Sequence, residues 1–421
     1  MNIKLAINGG KPVIDSAKAK FDWPIIDSEA EKAVINQLHK SISIYNRSGV
    51  IQEFEDEFSK YHNRKYGLLS NSGTSAIFSM YEAINLHPGD EVVCPVYTFH
   101  ATVSPMMYMG AIPIFCDSDD EGNMSFDDLK LKVTKRTKAV IVTHMWGVPT
   151  RDIRKIADFC RKNNLILFED CSHAHGASIQ GNKVGSFGDA ASWSLQGPKI
   201  ISGGEGGIML TDNQNMYSRA LLQGHYNKRP FQEIDKNNPL YEYSLTGIGL
   251  KLRSHPLAVA LALQQFKHLD EFISQKQIYS KMFNEALSNY DFIATPKIDT
   301  DIQNSWYAYN FKFNGEAAYG VTREEFVDAL LAEGLVEVDI PGSTGLINEL
   351  PLFINPEKII DRMYNSSLTK QTGFVNAEKF YQSIVKLPVW ATKDSFNIVE
   401  SYIEGITKVS EYLRVHKKLK S

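Results

Sequence analysis

The chain carries ILFEDCSHAHGA at Ile166–Ala177 and SWSLQGPKIISGGEGGIMLTD at Ser192–Asp212, and these two stretches decide its fold. In the first stretch, a short apolar run of strand length ends at Asp170. In the second, Lys199 follows another strand-like run and leads into a glycine-rich loop. A buried acid at a strand end, followed by a lysine in a strand-to-loop turn, points to one particular cofactor chemistry.

That chemistry is the chemistry of pyridoxal 5'-phosphate (PLP). Lys199 would form the Schiff base with the cofactor aldehyde, which needs an unprotonated amine, and burial lowers the pKa of a lysine. Asp170 would keep the pyridine nitrogen protonated, so that the ring can act as an electron sink. At about 4 Å and an effective dielectric near 20, such a charge pair contributes on the order of 4 kcal/mol before desolvation. Taken singly, Asp170 could cap a helix and Lys199 could lie on the surface.

Two further segments have the composition of a phosphate site. In SNSGTSAI at Ser70–Ile77, a strand ends in small residues and a helix begins, so that Gly73, Thr74 and Ser75 offer backbone and hydroxyl donors to an anion. Ser194 precedes Lys199 by a few positions and could reach the same phosphate. Either element alone is also compatible with an ordinary helix cap or a buried serine.

Around these stretches, the first half of the chain alternates strand-like runs with helix-like segments. This alternation predicts one α/β domain with a largely parallel sheet covered by helices on both faces. The seven strand-like runs are Tyr66–Ser70, Glu91–Tyr97, Ile112–Asp117, Ala139–His144, Leu165–Asp170, Ala190–Leu195 and Gly206–Thr211.

The second half of the chain predicts a smaller α+β unit. It contains an alternating run at Ser305–Phe313, a helical pattern at Val321–Gly334, a strand-like VEVDI at Val336–Ile340 and an amphipathic stretch at Phe396–Leu413. We therefore expect an N-terminal arm (1–30), a large cofactor-binding domain (31–252), a connecting helix (253–290) and a small domain (291–421).

The composition limits the classes of molecule that the protein is expected to bind. The 421 residues carry a formal net charge of −4, and neither a basic arm nor a long apolar run stands out, so we expect no nucleic acid and no membrane among the partners. The four cysteines are scattered without a CxxC pair, which favours a reducing cytoplasm and no metal site.

Over nearly its whole length the chain resembles the DegT-like (DegT/DnrJ/StrS) family of PLP-dependent sugar aminotransferases, which have fold type I. The resemblance implies a mostly parallel seven-stranded sheet with a smaller α+β C-terminal domain. It rests on the order and spacing of GVIQEFEDEFSKYH, SGTSAI, HPGDEVVCPVYTFHAT, GAIPIFCD, VTHMWGVP, FEDCSHAHGA, SLQGPK, GGEGGIMLTD and LPVW.

The resemblance also implies roles for individual residues. Phe99 would stack on the pyridine ring, and His173 would lie against the ring hydroxyl, although core packing could explain both side chains. Gly73, Thr74 and Ser194 would contact the phosphate. Family members form homodimers with active sites at the subunit boundary.

The chain departs from the family pattern on the substrate side. Lys251 stands where many members carry an asparagine that reaches the phosphate across the dimer, and a lysine could serve there as a point charge. Tyr307 lies in a segment where the family's usual small-domain histidine is missing, and His225 and Lys228 are candidates for contacts with substrate or partner subunit.

We therefore predict ping-pong transfer of an amino group from glutamate or glutamine to a keto-sugar, nucleotide-linked or free, or to a keto-cyclitol. One alternative is a PLP-dependent sugar dehydratase, but such relatives replace the Schiff-base lysine by histidine. Another is a PLP-binding sensor without catalysis. A dinucleotide-dependent oxidoreductase is disfavoured because SGGEGG lies between two strands rather than between a strand and a helix.

Overall fold

A seven-stranded sheet forms the centre of the computed structural model, which describes residues 4–363 and 371–420. Most of its side chains are buried because helices cover both faces, as the apolar runs predict. The strands are β1 (Tyr66–Ser70), β2 (Glu91–Pro95), β3 (Ile112–Cys116), β4 (Thr137–Thr143), β5 (Ile166–Asp170), β6 (Ala190–Ser194) and β7 (Gly207–Thr211).

The strand order is β1-β7-β6-β5-β4-β2-β3. Neighbouring strands from β6 to β3 are parallel, and β7 alone runs antiparallel to both of its neighbours. The predicted fold class, a mostly parallel seven-stranded α/β sheet, is confirmed. Because β1, β2, β4, β5 and β6 point the same way, their carboxyl ends meet at one edge, where parallel sheets bind their ligands.

The helices bury one face each against this sheet or against a second core. In one of them, Ile153, Ile156, Ala157 and Cys160 are buried with helical spacing. No helix among the described residues has the length and apolar content needed to cross a bilayer. The helices are α1 (Ser28–Lys40), α2 (Gly49–Tyr61), α3 (Gly73–Ala83), α4 (Ser104–Met107), α5 (Phe126–Lys132), α6 (Ile153–Lys162), α7 (Gln214–Gly224), α8 (Lys228–Glu233), α9 (Pro256–Lys267), α10 (Leu269–Leu287), α11 (Arg323–Ala332), α12 (Pro351–Ile354), α13 (Val375–Ser383) and α14 (Phe396–His416).

The second core surrounds an antiparallel sheet of β8 (Ile293–Ala294), β9 (Ala308–Phe313) and β10 (Ile384–Pro388). Side chains of α10, α11 and α14 complete this core, and two residues of the N-terminal segment, Leu5 and Ala19, are buried in it. The stretch 253–290 holds two helices, α9 and α10, which meet at His268.

The strand predicted over Val336–Ile340 does not form. A turn at Leu335–Val338 interrupts it, and only Asp339 makes an isolated bridge, to Lys386 of β10. The chain then continues to Thr344–Leu346, which pairs with Tyr97–Phe99 beside the central sheet. This pairing brings the loop of the smaller unit to the carboxyl edge of the large sheet.

Lys276 of α10 is a buried amine at the junction of three parts of the chain. Its Nζ donates to the backbone oxygens of Trp306 and Val389 and lies 5.9 and 5.4 Å from the ring centroids of Phe21 and Trp23. Among the described residues, none forms a salt bridge with it. Burial therefore lowers the pKa of Lys276 to about 7.

This lowered pKa makes stability depend on pH. Between pH 7 and the ordinary lysine pKa of 10.5, the unfolded chain binds a proton at this amine that the folded chain does not. The free energy of unfolding should therefore rise with pH in this window, by up to about 1.4 kcal/mol per pH unit.

Lys276→Met should flatten this rise, as measured by urea unfolding of the protein across the window. Lys281→Met, which changes an exposed lysine of the same helix, should leave the slope unchanged. Parallel pH profiles for the wild type and Lys276→Met would show that Lys276 stays protonated in the fold.

Candidate active site

A cleft of about 590 Å³ opens at the carboxyl edge of the central sheet. The ends of β1, β4, β5 and β6 contribute to it, together with the segment after β2 and the loop of the smaller unit. Its lining includes Gly73, Thr74, Thr98, Phe99, Thr102, Trp146, Asp170, His173, Ser194, Lys199, Glu205, Tyr307, Asp339 and Lys386.

Asp170 ends β5 and is buried in the floor of this cleft. One carboxylate oxygen accepts the Thr102 hydroxyl at 2.8 Å, and the other accepts the backbone N–H of Ser172 at 3.1 Å. Because the Thr102 hydroxyl donates to Asp170, the Thr98 hydroxyl, 2.9 Å away, must donate to Thr102. This chain of donors fixes the orientation of the carboxylate.

Lys199 lies in the turn after β6, where its backbone N–H donates to the Gln196 carbonyl. Its side chain is buried, with Nζ 4.7 Å from the ring centroid of Tyr307. Burial lowers the pKa of Lys199 to about 8, while the negative charge of Asp170 opposes this change. Compared with an ordinary lysine, the amine is therefore more often unprotonated near neutral pH, as imine formation requires.

Gly73, Thr74 and Ser194 form what we call the phosphate cradle. Helix α3 begins at Gly73, so its first N–H groups and the positive end of its dipole face the cleft. A Cβ at Gly73 would lie 2.7 Å from Cβ of Ser194, so only glycine allows this close approach. Ser75 lies outside the cleft lining, and its hydroxyl donates to Oδ1 of Asn71 within the helix cap.

Three rings form a stacked wall at the other side of the site. The rings of His173 and Tyr307 are 4.1 Å apart and nearly parallel, and Trp146 stacks on His173 at 5.5 Å. Burial and the nearby Lys199 hold the pKa of His173 well below its usual range, so the imidazole is neutral. Its Nδ1 is buried with no partner in the described part of the chain, which leaves it free to bond a ligand oxygen. Phe99 lines the same cleft and is 40% exposed.

The chain does not bring every predicted residue into the cleft. His225 is buried outside the cleft, and burial together with Arg229 and Arg253 holds its pKa well below the usual range. Lys228 is exposed at the start of α8. Lys251 is exposed as well, although its neighbour Leu252 accepts the N–H of Asn71 beside the phosphate cradle.

Sequence reasoning missed Thr102, Trp146, Glu205, Asp339 and Lys386, all of which line the cleft. Thr102 had a local signal, since it follows Thr98 by four positions in the segment after β2. Trp146 and Glu205 had one too, since Trp146 follows β4 by three positions and Glu205 lies in the glycine-rich loop six positions after Lys199. Asp339 and Lys386 had none, because only tertiary packing brings them to the strand ends.

His144, Glu169 and Cys171 place three possible metal ligands within 4.8 Å of one another. Nδ1 of His144 accepts the N–H of Thr150, so Nε2–H donates to Glu169 at 3.1 Å. The Glu169 carboxylate also accepts three backbone N–H groups, from Gly185, Phe187 and Gly188, and burial raises the pKa of the Cys171 thiol well above its usual value. These hydrogen bonds engage the side chains of His144 and Glu169 and connect the end of β4 to β5.

Comparison with known proteins agrees with this geometry. The profile of the DegT/DnrJ/EryC1/StrS aminotransferase family matches residues 25–400. A protein of Micromonospora echinospora with the provisional name L-glutamine:3-amino-2,3-dideoxy-scyllo-inosose aminotransferase is 31% identical over 353 residues, which cover 82% of this chain and 80% of that protein. GDP-perosamine synthase of Escherichia coli O157:H7 is 34% identical over 262 residues, which cover 61% of this chain and 69% of the synthase.

Among solved structures, an aminotransferase from Psychrobacter cryohalolentis superposes with a TM-score of 0.82 at 21% identity, covering 94% of this chain and 99% of that one. At this identity the likeness concerns the fold, and it agrees with the predicted fold type. The family match covers the phosphate cradle, Asp170 and Lys199 alike. The chain belongs to the DegT/DnrJ/EryC1/StrS aminotransferase family.

Proposed function

We propose that this protein is a PLP-dependent aminotransferase that moves an amino group from glutamate or glutamine to a keto-sugar or keto-cyclitol. One observation carries the proposal: Asp170 and Lys199, which come from different strand ends, line a single cleft together with the phosphate cradle. The names of the two relatives, one an aminocyclitol aminotransferase and the other a perosamine synthase, support the substrate class.

The residues of the cleft fit the cofactor. The unpartnered Nδ1 of His173 and the space kept open by Gly73 are the two features that a ligand with a ring oxygen and a phosphate would fill. When bound, PLP supplies an electron sink for the carbon that exchanges the amino group. We assign the pyridine nitrogen to Asp170, the ring face to Phe99, the ring oxygen to His173, the phosphate to Gly73, Thr74 and Ser194, and the covalent bond to Lys199.

Lys199 would also carry the proton. Once the donor has displaced it, its Nζ takes the proton from the α-carbon of the amino acid. In the second half-reaction it gives a proton to the former carbonyl carbon of the sugar. An amine with a pKa of about 8 can do both near neutral pH. The stacked rings of Trp146, His173 and Tyr307 keep bulk water away from one side of this transfer.

We also propose a homodimer whose partner subunit completes the site. Lys251 follows a segment with exposed apolar side chains at Tyr243, Leu245, Ile248 and Leu250. Such a patch suits a second copy of the chain, which would bring Lys251 toward the partner's phosphate cradle. The four buried free thiols suit a reducing cytoplasm.

The half-reaction tests the function. Holoenzyme mixed with L-glutamate, without any acceptor, should release one 2-oxoglutarate per active site and change its visible absorption. In holoenzyme that has not been mixed with glutamate, borohydride should abolish the visible absorption by reducing the bond to Lys199. A PLP-binding sensor would release no stoichiometric oxo acid from glutamate or glutamine, and that result would contradict the proposal. A keto-sugar added to the glutamate-treated enzyme should become an amino sugar, whereas a dehydratase would remove a hydroxyl group from it.

A further inference from the structure

The charges of the cleft leave one cation without a role in the reaction described above. Among the described residues that line it, Lys199 and Lys386 carry a positive charge, and Asp170, Glu205 and Asp339 a negative one. Under the proposed function, Lys199 and Asp170 are engaged by the cofactor. Within one protomer, Lys386 is then the lysine that remains for an anionic group of a substrate.

Lys386 is held rigidly at its backbone and loosely at its side chain. It lies on β10, and its backbone exchanges two hydrogen bonds of 2.9 Å with Asp339. Its Nζ forms an ion pair of 2.8 Å with the same residue, and the two side chains are 26% and 54% exposed. Exposed ion pairs of this kind add little stability, so another carboxylate can replace Asp339 without moving the backbone.

The amine also lies on the reacting side of the cleft. Lys386 and His173 line the same cleft, and the charge of Lys386 contributes to the lowered pKa of His173. Thr344–Leu346, just after Asp339 in the chain, pairs with Tyr97–Phe99, so the pair is anchored to the edge of the large sheet.

We propose that Lys386 binds the α-carboxylate of the amino donor and that Asp339 is its counter-ion while no donor is bound. A ping-pong enzyme must hold a charged amino acid and then a polyhydroxylated sugar in one pocket. With the donor bound, Lys386 pairs with the α-carboxylate. With the sugar bound, Lys386 returns to Asp339, so that the pair presents no net charge to the uncharged hydroxyl groups. This inference rests on the proposed function.

The test separates donor binding from turnover. The probe is α-methyl-L-glutamate, which lacks the α-hydrogen and so binds without being transaminated. Lys386→Met should weaken its binding to the holoenzyme about ten- to a hundred-fold, the effect of losing one charge-assisted bond. The concentration of glutamate or glutamine at half-saturation should rise similarly, because both share the α-carboxylate, while that of the sugar acceptor stays within about two-fold.

Matched variants sharpen the result. Lys386→Arg should restore most of the affinity, and Asp339→Asn should bind the probe more tightly than the wild type because the competing carboxylate is gone. Lys312→Met, which changes a lysine of the neighbouring strand that lies outside the cleft, should bind like the wild type. Isoglutamine carries an amide in place of the α-carboxylate, so its affinity should be the same for Lys386→Met as for the wild type.

Wild-type affinity of Lys386→Met for the probe would overturn the inference, and so would a loss confined to the sugar acceptor. If the wild type converts glutamate while Lys386→Met binds the probe normally, only the inference fails. If the wild type releases no oxo acid from either glutamate or glutamine, the proposed function fails and the inference with it.

Discussion

Lys199→Ala should yield a folded protein that still binds PLP, but borohydride should no longer fix the cofactor covalently to the protein, and nearly all turnover should be lost. The cofactor should remain because Asp170, His173 and the phosphate cradle are untouched by the change. Turnover should fall by roughly 10²–10⁴-fold from the loss of proton transfer alone. The mass of the protein after borohydride, together with the yield of 2-oxoglutarate from glutamate, measures both effects.

Lys199→Arg is the informative control because it keeps the positive charge. A guanidinium stays protonated at any accessible pH and can neither form the covalent bond nor accept a proton. It should therefore be as inactive as the alanine variant, whereas a purely electrostatic role for Lys199 would leave it active. Added small amines should restore part of the activity of Lys199→Ala but not that of Lys199→Arg, whose side chain still fills the space.

The sheet could be predicted because each strand carries its own signal. The predicted runs Tyr66–Ser70, Leu165–Asp170 and Ala190–Leu195 are short, largely apolar and bounded by small or polar residues, and β1, β5 and β6 lie within them. Since the carboxyl ends of parallel strands meet at one edge, the predicted residues at those ends share a cleft. Their roles remain predictions.

What the sequence could not predict depends on long-range packing. Val336–Ile340 has the alternation of a strand, yet only Asp339 finds a partner, in β10 far along the chain. The same bridge places Lys386 at the cleft, and no local sequence pattern predicts that position. Lys251 and Lys228 lie outside the cleft of the chain that carries them. A role for them in the site would require the proposed second copy of the chain, which sequence periodicity does not describe.

Asp170→Asn tests the other half of the central pair. Asparagine keeps the shape: its single oxygen can accept the Ser172 N–H, and its NH2 group can donate to the Thr102 hydroxyl, which then turns to donate to Thr98, so the fold and the covalent bond to Lys199 should persist. What is lost is the negative charge. An interaction of about 4 kcal/mol at 4 Å corresponds to a fall in turnover on the order of 10³-fold.

The same substitution should change the pKa of the lysine in a defined direction. The charge of Asp170 raises the pKa of Lys199 against the effect of burial, so its removal should lower that pKa below about 8. The pH at which the apoenzyme reaches its full rate of PLP capture should therefore move downward. Measuring this rate against pH for both proteins shows the shift, and an unchanged midpoint would mean that the two groups do not interact.

Thr102→Val provides a graded comparison, because it removes one donor to the carboxylate and keeps its charge. A lost hydrogen bond to a charged group should lower turnover by about ten-fold or somewhat more. Since Thr102 would act only through the carboxylate that it orients, the double variant with Asp170→Asn should be little slower than Asp170→Asn alone. Fully additive losses would instead show that Thr102 contributes to the reaction independently of Asp170.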